Sequence, residues 1–140
     1  MAGVKLSGKN LYVAYGSTNL SATYRSLEVT ETQGTVDATA GADDYRNFIN
    51  TVKEIEATVE IIMQDFATGG SALLAALVLG GTAALVWGAQ GTAAGQPKDG
   101  FNGRLVEKPK TLKFDDLYVI KAKFANAGTA LLYNGTTDVW

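Results

Sequence analysis

The chain has no cysteine and no histidine among its 140 residues. Without cysteine it has no disulfide framework, no thiolate nucleophile and no zinc site of the cysteine type. Without histidine it lacks the commonest general base and the commonest metal ligand, and with them every Ser-His or Cys-His catalytic pair. We therefore expect a protein that is not an enzyme and that carries no cofactor.

An excess of basic residues is also missing, since the net charge is −2, with 12 Lys and Arg against 14 Asp and Glu. This balance argues against general nucleic-acid binding, which needs many cations to neutralise phosphates. The charge is unevenly distributed: residues 1–70 hold five basic and nine acidic side chains, whereas residues 98–140 hold seven and five. An acidic half and a basic half suit head-to-tail stacking of copies.

Clusters of side chains that suggest chemistry are few. Adjacent carboxylates occur at 43–44 and 115–116, without partners that would make a metal site, and they suit turns. The glycine-rich segment 88–103 lacks the spacing of a phosphate-binding loop. The one basic cluster, within residues 108–113, is most simply a solvated strand edge that prevents unwanted pairing. No catalytic or metal site is predicted.

Charged residues are absent from positions 66–97, and a charge-free run of this length raises the alternative of a membrane span. Two Gly-Gly pairs interrupt the run, its first apolar block covers only residues 72–79, and no cluster of Lys or Arg flanks it. A buried helix followed by a buried strand is therefore favoured. Residues 1–10 lack the apolar core of a signal peptide.

The chain is organised around residues 54–63, where apolar and polar side chains alternate strictly. The apolar positions are Ile55, Ala57, Val59, Ile61 and Met63, and the polar positions are Glu54, Glu56, Thr58 and Glu60. A period of two places the first set on a buried sheet face and the second in water. The sequence therefore predicts a long, half-buried strand with an acidic stripe.

A short helix is predicted after this strand, over residues 72–79. Ser71 suits the N-cap position, and Gly80-Gly81 suits the end. The apolar stripe of the helix is formed by Leu73, Leu74, Leu77 and Val78.

Strands account for most of the remaining chain. The predicted strands cover residues 9–15, 23–31, 35–37, 82–90, 104–114 and 117–125, with a tight turn at Gln33-Gly34. Residues 38–51 are predicted to form either a long loop or an irregular edge strand. A second long loop, 91–103, and a tail of residues 127–140 complete the chain. The expected fold class is mainly β, an antiparallel β-sandwich or β-barrel with one short flanking α-helix, in a single domain of residues 1–140.

Apolar residues in the loops and at the chain end predict contacts with other chains, because long loops and exposed apolar segments are seldom idle. The inter-subunit candidates are Asp43, Asp44, Tyr45, Arg46, Phe48 and Ile49 in the first loop, Phe101 in the second, and Trp140 at the end. The tail of residues 127–140 is expected to extend and to interact. These features predict a subunit that assembles with copies of itself.

The order of these features resembles that of the small tail tube (major tail) proteins of tailed bacteriophages. The resemblance covers residues 10–126 and rests on a strand pair, the stretch TVDATAGADDYRNFINTVKEIEATVEII, a helix opened by GGS, a strand, a glycine-rich loop and a final strand pair. It implies a β-sandwich or β-barrel with one flanking helix, whose copies form six-fold rings that stack into the tube of a virion tail. It also implies other phage tail proteins as partners, passage of viral DNA without specific binding, and no membrane.

In such a tube the acidic stripe is a candidate lining of the channel, because like charge repels the DNA duplex. The lumen-facing candidates are Glu28, Glu54, Glu56 and Glu60. A competing interpretation places these glutamates outside the tube, paired with Lys121 and Lys123.

Two other functions stay open at the level of sequence. Another virion structural protein, such as a capsid decoration or tail-tip module, would form a discrete oligomer and would not polymerise. A small binding or enzyme domain would require a concave polar pocket.

Overall fold

The computed structural model describes residues 8–128 and 130–140. The expectation about a signal peptide falls mainly on residues outside these ranges. Within them the chain forms nine strands and one α-helix. In order these are β1 (Tyr12–Tyr15), β2 (Thr18–Asn19), β3 (Tyr24–Asp37), β4 (Phe48–Ile62), α1 (Gly70–Ala76), β5 (Thr82–Gly88), β6 (Pro97–Glu107), β7 (Lys110–Thr111), β8 (Val119–Asn126) and β9 (Tyr133–Val139). Short 3₁₀ turns lie at Gly8–Asn10 and Phe66–Thr68.

The strands form one antiparallel sheet in the order β2-β1-β5-β6-β8-β4-β3, with β7 paired to β8 and β9 paired to β6. In a flat sheet β1 and β8 would lie about 14 Å apart, three strand spacings. The ring of Tyr15 on β1 nevertheless lies 4.6 Å from the ring of Phe124 on β8. The sheet therefore curls around its apolar face, which confirms the predicted mainly β fold with one short helix.

The predicted central strand provides one wall of the core. Ile55, Ala57, Val59 and Ile61 of β4 are buried as the alternation predicts, opposite the buried Ala122 and Phe124 of β8. The strand is longer than predicted, because it begins at Phe48 inside the segment for which the sequence left open a loop or an irregular edge strand.

The helix covers one part of the core, but its bounds differ from the prediction. It is capped by Gly69, whose φ of 136° is rarely adopted by residues with a side chain, and it ends at Ala76. Ser71 therefore lies inside the helix. Leu73 and Leu77 are buried in the core, whereas Val78 is 57% exposed because it follows the last helical turn.

Replacing Leu77 by alanine should lower the free energy of unfolding of the single subunit by about 2–5 kcal/mol, because this side chain is only 1% exposed. The neighbouring Val78→Ala variant is the control and should change stability by less than about 0.5 kcal/mol. Denaturant unfolding of the dilute chain measures both. Equal stabilities for the two variants would contradict the packing of the helix on the core.

The segment around Gly34 is a bulge within one long strand, not the predicted tight turn between two strands. The pairing of β3 with β4 shifts register between Gln33 and Thr35. A side chain at position 34 would collide with the Thr51 hydroxyl of the neighbouring strand. Glycine here allows two strands to approach each other closely. Sequence composition alone does not distinguish such a glycine from one in a turn.

The second predicted loop is mostly strand. Pro97 opens β6, a position where proline is tolerated, and Pro109 separates β6 from β7. The loop between β5 and β6 therefore covers only residues 89–96. The tail folds back, so that β9 pairs with β6 through the register Gly100 to Tyr133.

Candidate assembly surfaces

The hairpin of β3 and β4 extends past the end of β8. Residues 56–62 of β4 pair with β8, whereas in the described structure residues 48–54 pair with β3 only. We call residues 31–54, which include the connecting loop, the arm. Seven strand residues at about 3.3 Å each make it about 23 Å long before its loop. The arm is thus a two-stranded ribbon that projects from the core.

The arm carries large apolar side chains that the subunit itself does not cover. These are Val36 (55% exposed), Tyr45 (87%), Phe48 (52%), Ile49 (57%) and Val52 (73%). A two-stranded hairpin is at best marginally stable in water without something packed against it. The arm therefore has the composition of a surface that another chain covers.

The loop at the end of the arm is locally ordered. The Ala38 N–H donates to the Asn47 carbonyl at 2.7 Å, and the Asp43 carboxylate accepts from the Ala40 N–H at 2.8 Å. Thr39 donates from its hydroxyl and its N–H to Asp37, and these bonds lower the pKa of the Asp37 carboxyl. The candidates Asp43, Asp44, Tyr45 and Arg46 are all exposed in this loop.

Phe101 and Trp140 lie outside the arm. Both make contacts within their own chain. Phe101 has no exposed surface and meets the Trp87 ring edge-on at 5.9 Å, so it is not available to a neighbour in this conformation. The Trp140 indole N–H donates to the Pro97 carbonyl at 3.1 Å. Its ring meets the Tyr12 ring edge-on at 5.3 Å.

The four candidate glutamates share one face of the sheet, on the side away from the core. Glu28 pairs with Thr58 in register, and alternation along β4 puts Glu54, Glu56 and Glu60 on the same side. This glutamate face also holds basic residues, among them Arg25 of β3, Lys121 and Lys123 of β8 and Arg104 of β6. The predicted acidic stripe is therefore one column of a face of mixed charge.

Two ion pairs form on the glutamate face. Glu56 lies 3.7 Å from the Lys123 amine, and Glu60 lies 3.6 Å from the Arg25 guanidinium. The partial solvent exposure of both pairs keeps their contribution to stability small. Their main effect is that the carboxylates offset the positive charges of Lys123 and Arg25 on this surface.

A half-buried carboxyl group, Asp99 on β6, lies near Glu31 at the base of the arm. Burial raises the pKa of Asp99, and the charge of Glu31 raises it further. A raised pKa means that the folded subunit binds this proton more tightly than the unfolded chain. Stability is therefore gained as the pH falls through the pKa of Asp99 toward its ordinary value of 3.8.

A second apolar surface lies on the connection between β7 and β8, and it was not among the predicted site residues. We call residues 110–117 the basic hairpin, after its two lysines. Its large apolar side chains are Leu112 (68% exposed), Phe114 (108%) and Leu117 (54%). The sequence places three large apolar residues in this polar segment, which is unusual for a surface exposed to water. The neighbouring lysines, however, indicate a solvated strand edge.

The clefts in the described part of the chain are shallow and open. One of them lies where the arm leaves the core and is lined by Glu31, Lys53, Glu54 and Leu131 among others. Within the described residues no group of three or more Asp and Glu side chains is placed to hold a metal ion. Among those residues no helix is long and apolar enough to cross a membrane.

No family model matches the sequence, and no curated protein matches it. Solved structures do match. A chain of the virion of a native gene transfer agent particle is 15% identical with a TM-score of 0.71, over 93% of this chain and 99% of the other. A chain from the tail of an empty gene transfer agent particle, solved with C6 symmetry, is 13% identical with the same score and coverage.

The third match is the SPP1 tail tube, at 10% identity and a TM-score of 0.72, over 96% of this chain and 81% of the other. All three matches cover nearly the whole chain. The chain therefore has the fold of the SPP1 tail tube and of the gene transfer agent tail, as its resemblance to tail tube proteins implies.

Proposed function

We propose that the chain is the structural subunit of a virion tail tube, in which six copies form a ring and the rings stack around a channel for DNA. The observation that carries this proposal is the match over 93% of the chain to a tail solved with C6 symmetry. Its partners are then copies of itself and other tail proteins. The role is structural, without catalysis or specific DNA binding.

The edges of the sheet support assembly into a closed ring. β3 forms one edge and presents 14 residues, while β2 at the other edge has only two. A long free edge with unpaired N–H and C=O groups is a template for pairing with another chain. A ring uses such an edge without leaving it open, because each subunit covers the next.

The glutamate face is the proposed lining of the channel. It is the polar side of the long strands, and Glu28, Glu54, Glu56 and Glu60 are distributed along it. The ion pairs of Lys123 and Arg25 leave those cations less able to hold a phosphate. The pairing that the competing interpretation places on the outside of the tube is thus compatible with a channel wall.

The chain is proposed to act as one domain, residues 1–140, with the tail contributing a contact. β9 holds the tail on β6, yet Leu131 and Leu132 are each 40% exposed. Leu131 lies beside Glu31 and Glu54 at the base of the arm, where a neighbour that binds the arm would also cover it.

Electron microscopy of the purified chain tests the function. We expect hollow tubes with six-fold symmetry, formed without nucleic acid, with the side chains of Glu56 and Glu60 pointing into the channel. Discrete oligomers at every concentration would instead favour a capsid decoration or tail-tip module, and stable monomers would contradict both. Glutamates at the tube exterior would contradict the lining but not the tube.

A further inference from the structure

We propose that Asn134 is a site of self-modification, at which the folded subunit converts its own asparagine into aspartate or isoaspartate. The reacting groups are the side-chain amide of Asn134 and the backbone nitrogen of Gly135. The inference goes beyond the proposed function and does not depend on assembly. Three observations carry it: the hydrogen bonds on the Asn134 amide, the conformation of Gly135, and a second Asn-Gly pair that the fold holds in a different geometry.

An asparagine followed by glycine can react with its own backbone, because glycine has no side chain to shield its nitrogen. The Gly135 nitrogen bonds to Cγ of Asn134 and gives its proton to hydroxide from the solvent. The bond between Cγ and Nδ2 then breaks, and the nitrogen takes a proton from water and leaves as ammonia. Water opens the resulting five-membered imide at either carbonyl, which gives aspartate or isoaspartate. Overall, water is consumed and ammonia is released.

Hydrogen bonds in the turn of residues 134–138 are placed to stabilise the charge that this reaction creates. Attack on Cγ turns Oδ1 of Asn134 into an oxyanion, which donors already aimed at that oxygen stabilise. Three backbone N–H groups donate to it, those of Thr136 at 2.9 Å, Thr137 at 2.9 Å and Asp138 at 3.3 Å. The Thr137 hydroxyl oxygen lies 3.3 Å from Oδ1 and 3.1 Å from the leaving Nδ2. Because these donors follow Gly135 in the chain, their bonds fold the amide forward, toward the nitrogen that attacks it.

Gly135 is required by the fold at this position. Its φ of 68° is a conformation that glycine adopts more readily than other residues. A side chain here would also collide with the carboxylate of Asp99 on the neighbouring strand. Asn134 itself is exposed, so that water and hydroxide reach its amide. The turn thus combines the glycine that the reaction needs with access to solvent.

The same dipeptide occurs at Asn102-Gly103 in β6, where the fold opposes the reaction. Gly103 is buried and is paired on its two sides with Ala83 of β5 and Asn126 of β8. The Asn102 carbonyl accepts from the Ala127 N–H at 2.7 Å. A residue held in an extended strand on both sides cannot fold its amide over the next nitrogen without breaking these bonds. Asn102 is therefore an internal control with the same two residues.

Conversion at Asn134 would loosen the tail. Isoaspartate carries the backbone through the former side chain and adds a methylene to it, although β9 is held on β6 at both ends of the turn, by Asn134 with Asp99 and by Val139 with Pro97. The new carboxylate would also stand directly opposite the carboxylate of Asp99, and like charges in this position destabilise a strand pair. Both effects weaken the hold on Trp140, whose indole N–H donates to the Pro97 carbonyl.

The full chain in dilute solution at mildly alkaline pH, either folded or in concentrated urea, tests the proposal. Mass spectrometry of proteolytic fragments measures conversion at positions 134 and 102. In urea the two should convert at similar rates, because both are Asn-Gly. In the folded chain we expect Asn134 to convert about 10-fold faster than in urea, since a single oxyanion donor is worth more than this factor. Asn102 should convert more slowly when folded than in urea.

Two matched variants separate the effect of the turn from simple exposure, with circular dichroism to confirm folding. Thr137→Val keeps the branched shape but removes the hydroxyl beside Oδ1 and Nδ2, and it should slow conversion of Asn134 about 10-fold. Thr136→Val is the control, because in the described structure only the backbone of Thr136 contacts the amide, and it should keep the wild-type rate.

An Asn134 that converts no faster when folded than in urea would overturn the proposal. Equal rates in the two valine variants would overturn the role of the Thr137 hydroxyl in the turn. In the converted fraction, the backbone amides of β9 should exchange faster with solvent than in the unconverted chain. Unchanged exchange would overturn the loosening of the tail.

Discussion

Replacing both Val36 and Ile49 by threonine is expected to raise the concentration needed for polymerisation about 100-fold while the subunit stays folded. The two residues are direct partners across the arm, so their side chains lie together on one face, and both are more than half exposed. Threonine keeps the branched shape that favours a strand, but its hydroxyl replaces a methyl group of Val36 and the ethyl group of Ile49. Together the two substitutions should remove about 3 kcal/mol of apolar burial from each contact between copies. A loss of this size corresponds to the expected rise in the polymerising concentration.

Light scattering against concentration measures the threshold, and thermal unfolding below it checks the subunit. The matched control replaces Val78 and Leu79 by threonine, since these residues have nearly the same exposure, 57% and 56%, but lie after the helix. The control should polymerise at the wild-type concentration. An arm variant that polymerises like the control would show that no neighbour covers this face.

The arm also shows where sequence periodicity stops being informative. Alternation predicted β4 correctly from residue 55 onward, because one face of that part is buried in the core. In the arm neither face is buried by the subunit, and apolar residues therefore occur side by side, as at Phe48 and Ile49. A strand of which the subunit buries neither face is not held to a period of two, so its sequence resembles that of a loop or an irregular edge strand.

Glycine gave the opposite error in the second predicted loop. Gly100 of β6 lies so close to β5 that a side chain there would approach the Leu85 carbonyl at 2.8 Å. Gly100 therefore marks closely packed strands, whereas Gly91 and Gly95, which have positive φ, lie in the loop that remains. Phe101, predicted to contact a neighbour, is for the same reason enclosed in the core.

The candidate site was predictable only in part. The residues of the arm could be predicted from the sequence, because a Tyr, a Phe and an Ile are unexpected in a polar segment unless another surface covers them. The basic hairpin did not, because its lysines equally suit an edge exposed to water. Its relation to the arm depends on the β4–β8 register, which places the two at opposite ends. A pattern of neighbouring residues in the sequence does not show that the two segments lie at opposite ends of a strand pair.

The largest expected loss of subunit stability follows from replacing Phe124 by alanine, at about 3–5 kcal/mol. Phe124 has no exposed surface, and its ring packs at 4.6 Å on the ring of Tyr15 across the curled sheet. Burial of Tyr15 raises the pKa of its phenol, whose O–H reaches the Gly81 and Gly103 carbonyls. Removing Phe124 would leave a cavity beside these bonds and loosen the closure of β1 on β8.

Phe114→Ala is the matched control, because the same side chain is removed from a position that is 108% exposed. Unfolding by denaturant, measured below the polymerising concentration, should show the loss for Phe124→Ala and a change of less than about 0.5 kcal/mol for Phe114→Ala. Equal unfolding curves for the two variants would contradict the closed core, since they would mean that Phe124 is as accessible to water as Phe114.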